Sequence, residues 1–193
     1  MISLNNYIQE KLIVNKNYKP YKYHPKTWDE LRKIIIDRFK ELGPGTEQEP
    51  INFNDIDVSK LETFVSDNRR GAFEETKVEY IDVSDWDVSN VTDMFAMFAN
   101  CNNLISTGDL SNWNISNVED TEAMFFACEK LESIGDLSNW NISNIKYMAS
   151  MFDECKQLKS VGDLSKWDVS CVHNMNYMFA NSGIINIPKW YEE

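Results

Sequence analysis

Gly108-Asp109-Leu110-Ser111-Asn112-Trp113-Asn114-Ile115-Ser116-Asn117-Val118 returns 27 residues later as Gly135-Asp136-Leu137-Ser138-Asn139-Trp140-Asn141-Ile142-Ser143-Asn144-Ile145. Two further passes share the register, one around Trp86 and one around Trp167, so four tryptophans recur at the same interval. Whole columns follow. Asp82, Asp109, Asp136 and Asp163 form one, and Met97, Met124, Met151 and Met178 another, each methionine followed at once by Phe98, Phe125, Phe152 or Phe179. Cys101, Cys128 and Cys155 fill a third, with Ser182 in the fourth place. A fixed period of this length marks a solenoid, whose units cannot bury an apolar face alone and stack on one another. Architecture is the most legible property of this chain.

Inside one unit the apolar spacing suggests helix and then strand. Ser116 and Glu119 read as a capping box, and Val118, Thr121, Met124, Phe125 and Cys128 follow steps of three and four. That predicts a helix of about two turns ending near Cys128. Ile134-Gly135-Asp136-Leu137-Ser138 is the strand candidate, to be stacked between units as a parallel sheet of short rungs. The expected fold class is therefore α/β, a leucine-rich-repeat solenoid with one short strand and one short helix per 27-residue repeat. The solenoid is assigned to residues 51–193, with an irregular entry repeat (51–80), regular repeats (81–180) and a closing half-turn (181–193).

Ahead of it, residues 1–50 read as an N-terminal helical cap. Leu4, Tyr7, Ile8 and Leu12 predict an amphipathic helix over 3–13, and Pro20 and Pro25 keep residues 15–25 extended. This tyrosine-lysine segment either packs over the core or grips a partner. Thr27 and Glu30 then cap a clear helix with Trp28, Leu31, Ile34, Ile35, Phe39 and Leu42 as its buried stripe, stopped at Gly43-Pro44. Terminal repeats of solenoids are atypical, and such helices suit the open first coil.

Charge limits the partners. The net charge of −12 divides into nine Lys/Arg against four Asp/Glu in residues 1–40 and ten against 27 in the rest, or +5 and −17. An acidic surface of this size repels phosphates, which argues against direct nucleic-acid binding by the repeats, and it attracts basic protein surfaces. Solubility of a thin solenoid accounts for the same charge. No continuous hydrophobic leader opens the chain and no run of 18 apolar residues spans a bilayer, so a cytoplasmic or particle-associated location and no membrane partner are expected. Three cysteines in one column point the same way and read as buried free thiols; Cys171, standing where Asn90, Asn117 and Asn144 stand in other repeats, is an exposed thiol or a neutral replacement.

Chemistry is sparse. His24 and His173 are the only histidines, and His173 shares its column with Thr92, Glu119 and Lys146, the signature of a solvated face. No nucleophile elbow, phosphate loop or metal motif occurs, so neither catalytic, cofactor nor metal residues are assigned. Two readings of the aspartate column stand side by side. It is an acidic ribbon that takes Lys/Arg side chains or calcium, or each Asp accepts hydrogen bonds from its own turn beside Gly108, Gly135 and Gly162. The glycines favour the second reading. Tryptophans are read as half-buried packing rather than an aromatic ribbon. Residues that vary within the frame mark where a partner is read: Asp85, Asn112, Asn139 and Lys166; Ile105, Glu132 and Lys159; and the helix-face column Phe95, Glu122, Ala149 and Asn176, where an exposed Phe95 beside Phe126 would be notable. With Asp82, Asp109, Asp136 and Asp163, the first of these columns forms the candidate partner-binding set.

Met-Phe-x-x-Cys-x-x-Leu followed by Gly-Asp-Leu-Ser-x-Trp-(Asp/Asn)-(Val/Ile)-Ser resembles the BspA-like class of leucine-rich repeats, of the surface-protein type, over about residues 54–190. The stretch from Asp85 to Met94 is close to its consensus. Members with a leading segment like Tyr23-His24-Pro25-Lys26-Thr27-Trp28 look like proteins of bacteria and their phages. The resemblance implies a non-enzymatic protein-binding or adhesive scaffold. Two alternatives go with it: a phage-encoded acidic inhibitor of a nucleic-acid-binding host factor, and a structural or decoration protein of a virion.

Overall fold

The computed structural model describes residues 21–191. The helix expected over 3–13, the first part of the extended segment and the last two residues of the chain lie outside the described residues. Among those described, regular secondary structure is limited to helix α1 (Trp28–Leu42), a two-residue parallel pair of β1 (Ile51–Asn52) with β2 (Ile81–Asp82), and one 3-10 turn at Leu164–Lys166. Thr27 sits in an extended conformation and its side chain accepts from the Glu30 N–H, while Glu30 Oε2 accepts from the Lys26 N–H at 2.6 Å. At the other end Gly43 turns to φ 77° and its N–H closes on the Phe39 carbonyl. Leu31 and Ile35 are fully buried, but Leu42, placed in the buried stripe by its spacing, is 60% exposed.

From Ile51 onward, nearly every apolar column reaches the interior. Phe73, Phe98, Phe125, Phe152 and Phe179 follow one another at 5.1–5.9 Å between ring centroids. Trp86 and Trp113 lie 6.5 Å apart with planes only 2° off parallel. The tryptophans at 86, 113, 140 and 167 are 3–5% exposed, more deeply buried than half-buried packing requires, and this closes off the aromatic-ribbon reading. Each indole N–H donates backward, to the carbonyls of Phe53, Val83, Leu110 and Leu137 respectively. Burial with a satisfied N–H is the condition under which tryptophan stabilises a core.

The two-turn helix expected at residues 118–128 is not there. The chain instead makes consecutive tight turns, with Met124 N–H to Thr121 O, Phe126 to Ala123 and Cys128 to Phe125. The alternate donors, Thr121, Ala123, Phe125 and Ala127, reach forward to the carbonyls of Tyr147, Ala149, Met151 and Asp153 at 2.8–3.0 Å. Ala123 and Ala127 lie at φ 56° and 57°, and Ala96 and Asn100, Ser150 and Glu154, and Tyr177 and Asn181 repeat the pair. A left-handed residue every fourth position breaks any helix and turns its neighbours' N–H groups toward the next unit. Turns of this kind place apolar residues three and four apart, as a helix does.

The strand expected at 134–138 is corrected for a related reason. Gly108, Gly135 and Gly162 stand at φ 81°, 91° and 91°, outside extended geometry. Pairing at that height is regular only between Ile51 and Ile81, where no glycine intervenes. Parallel bridges occur elsewhere, along Asp93–Asp120–Tyr147–Asn174 and along Tyr80–Ser106–Ser133.

Candidate functional site

Each aspartate of the main column is first a turn residue. Oδ1 of Asp82, Asp109, Asp136 and Asp163 accepts the N–H of Ser84, Ser111, Ser138 and Ser165 at 2.9–3.0 Å. A second set of such turns follows it, from Asp87, Asn114, Asn141 and Asp168 to the serine two residues on. The same Oδ1 presses on the glycine of the next unit: a Cβ on Gly108 would lie 2.6 Å from Asp82, and one on Gly135 or Gly162 would collide with Asp109 or Asp136. Glycine is therefore required there twice over, for its positive φ and for this approach. The Ser138 hydroxyl and N–H hold the Asp136 carboxyl below its ordinary range, and the Ser165 N–H and hydroxyl do the same for Asp163.

Two members of the column also share a groove. Asp82 and Asp109, with Glu47 and Glu132, line a surface depression of about 460 Å³ whose lining also includes Tyr80 and Ile105. Among the described residues that line it, four carry carboxylates and none is Lys or Arg. Like charges gathered on a concave wall reinforce one another's potential and draw in cations. Asp163 lies in a separate depression beside Ile185, Lys189 and Trp190, and Asp136 lines neither. Asp85, Asn112, Asn139 and Lys166 are all exposed and line neither as well; the Asp85 N–H donates to Asn54 Oδ1 at 2.9 Å. Glu47 belongs to the loop between α1 and β1 and carries no periodic signal, whereas Ile105 and Glu132 fall in one of the variable columns.

A second acidic row runs beside the bridges. Burial pushes the Asp93 carboxyl up, and nearby Asp120 adds to this; Glu122 is raised for the same two reasons. Arg69 answers them from the irregular loop of the entry unit. It pairs with Asp120 at 3.1 Å and lies 3.8 Å over the Phe95 ring, so Phe95 is half-buried under a guanidinium and not an exposed apolar spot. His24 bonds Asp57 at 3.2 Å, and His173 is exposed beside the Tyr147 ring. Cys101, Cys128 and Cys155 are buried free thiols, each donating to the carbonyl of a phenylalanine in the unit before; Cys171 is exposed. Burial raises the first to about 11 and the third to about 12. Among the described residues no group of three or more His, Cys, Asp or Glu side chains is placed to hold a metal ion, and no helix is long and apolar enough to cross a membrane.

Comparison with known proteins gives one finding. No curated protein and no solved structure matches the chain. A family model, described as "Mycoplasma protein of unknown function, DUF285", matches residues 51–190, which takes in every unit of the repeat. The chain belongs to that family.

Proposed function

We propose that this chain is a non-enzymatic scaffold that binds a partner protein through a basic segment of that partner. In this reading the units from 51 onward form a short solenoid of the BspA-like leucine-rich-repeat kind, with turns in place of helices, and α1 covers its first coil. The observation that carries the proposal is the groove at Asp82 and Asp109, where Glu47 and Glu132 set two further carboxylates beside the column. Two unit charges at 4 Å attract by roughly 1 kcal/mol in water and more beside a low-dielectric wall. A lysine or arginine side chain that reaches several of these carboxylates gains severalfold, and the gain fades with salt.

Calorimetric titration of the protein with a lysine-rich dodecapeptide at two salt concentrations tests this reading. Glu47→Gln and Glu132→Gln are suitable variants because neither removes a turn hydrogen bond, unlike changes at Asp82 or Asp109. Together they should weaken binding about tenfold at low salt and little at high salt. Binding indifferent to both salt and these two glutamates would remove the groove from consideration. The inhibitor reading rests on the −17 balance alone, and no particular residue favours it.

A further inference from the structure

The row of residues around the paired Met-Phe ends in an edge of a single polarity. In the middle of the stack every forward N–H meets a carbonyl: Met148, Ser150, Phe152 and Glu154 donate to Asn174, Asn176, Met178 and Ala180 at 2.9–3.0 Å. One unit on, the equivalent donors are Met175, Tyr177, Phe179 and Asn181. Among the described residues none of these four N–H groups has an acceptor. The carbonyls of Met175, Tyr177 and Phe179 are already taken by the N–H groups of Met178, Ala180 and Ser182. The edge therefore presents donors and almost nothing else.

Its side chains differ from those inside the stack. Where Ala96, Ala123 and Ser150 stand in earlier units, Tyr177 stands here, 69% exposed, and Ile185 is 79% exposed. Residues 162–193 hold Asp163, Asp168, Glu192 and Glu193 against Lys166 and Lys189, a balance of only −2 within a chain of −12. A second copy of the chain does not fit this edge. A twofold mate would bring donors against donors. A head-to-tail mate would have to supply the carbonyls of Thr63, Val65, Ala72 and Glu74, and the last two are held by Arg32.

We propose that the edge at Met175–Asn181 docks a segment of a partner protein that has no net charge and follows the same run of turns, so that its free carbonyls take the four N–H groups and add one more rung. Strand addition to an open edge draws its affinity from main-chain hydrogen bonds and its selectivity from alternate side chains. Tyr177 and Met175 supply the apolar contacts here. The site is separate from the acidic groove and would select a neutral sequence, not a basic one.

The test uses the 193-residue protein and a capped synthetic peptide with the sequence Ile145–Lys156, which forms the equivalent rung inside the stack. Amide exchange is followed by NMR as peptide is added. The N–H groups of Met175, Tyr177, Phe179 and Asn181 should exchange freely without peptide and at least tenfold more slowly at saturation, with Thr121 and Phe125 unchanged. Tyr177→Asp, which removes the ring and sets a carboxylate against the incoming carbonyls, should weaken binding about tenfold, and Tyr177→Asn, which removes the ring without adding the charge, should do so about threefold. Slow exchange of the four amides in the free monomer would overturn the proposal, as would their protection in a sedimenting dimer, peptide binding that leaves them unprotected, or no protection at millimolar peptide.

Discussion

The two ends of this molecule solve one problem in opposite ways. At the entry end the first unit exposes carbonyls, and α1 answers them: the Arg32 guanidinium donates to Ala72 and Glu74 at 2.6 and 2.9 Å, and Arg38 donates to Asn52 while pairing with Asp55. In the later units those same positions receive N–H groups from the unit before, as Met97 and Ala99 receive Phe73 and Glu75. Two arginines thus stand in for a missing rung. At the far end the edge offers N–H groups, and the described residues supply no counterpart. Closing an end of a stack depends on matching its hydrogen-bonding polarity as well as covering its apolar face.

The largest expected effect contrasts the middle with the open end. Phe125→Ala empties a fully buried site stacked on both sides and should cost about 3–5 kcal/mol in urea unfolding. Phe179→Ala, which has a stacked phenylalanine on one side only, should cost less. Equal losses would mean that the last unit is as well supported as the others. Next comes the closed end. Arg32→Ala leaves two carbonyls without donors and should destabilise by roughly 2–3 kcal/mol, while Arg32→Lys, a single point donor, recovers only part of that. A neutral result at Arg32 would show that the apolar cover of Leu31 and Ile35 suffices.

Gly135→Ala tests the spacing between units, away from both ends. Strain at φ 91° and the clash with Asp109 Oδ1 should together cost about 2 kcal/mol, and adding Asp109→Ala should recover some of it. Thiol labelling then reads the ends against each other without mutation. Cys171 should react at once, and the buried thiols, held far above the ordinary range by burial, only as units open. Fraying from the end whose N–H row is unfilled predicts that Cys155 is labelled before Cys128, and Cys128 before Cys101, in mild urea. Simultaneous labelling would show that the stack opens as one body.

The smallest effect is with pH. Asp136, Asp163 and Asp168 have carboxyls lowered by their serines, so each favours the folded state above the unfolded carboxylate range and loses that contribution as pH falls through its own folded value. Asp93 and Glu122 are raised by burial and act in the opposite sense, binding protons more readily when folded. Unfolding midpoints measured from pH 6 down to pH 3 should therefore decline gently, with no sharp acid transition.

Much of this was legible because translation by 27 residues repeats each side chain's surroundings. A column of phenylalanine or tryptophan needs no further information to be placed inside. The helix misled because Thr121, Met124, Phe125 and Cys128 have a spacing common to helices and to serial tight turns. What separates them is the backbone at Ala123 and Ala127, and alanine announces no preference for positive φ. Gly108, Gly135 and Gly162 announce it openly, and they made the turn reading of the aspartates the better one. Glu47 was invisible as part of the groove, since it lies outside the period. So were Arg32 and Arg38, which aim at main-chain carbonyls that sequence does not display.

The contact between each column aspartate and the following glycine has a consequence for how such a chain changes length. Excising residues 135–161 would set Gly162 on Asp109, Trp167 beneath Trp113 and Phe179 against Phe125, reproducing the glycine, tryptophan and phenylalanine junctions it removes. Copy number is then a free variable, and gain or loss of a whole unit moves Ile51 and Trp190 apart or together with little new fit to invent.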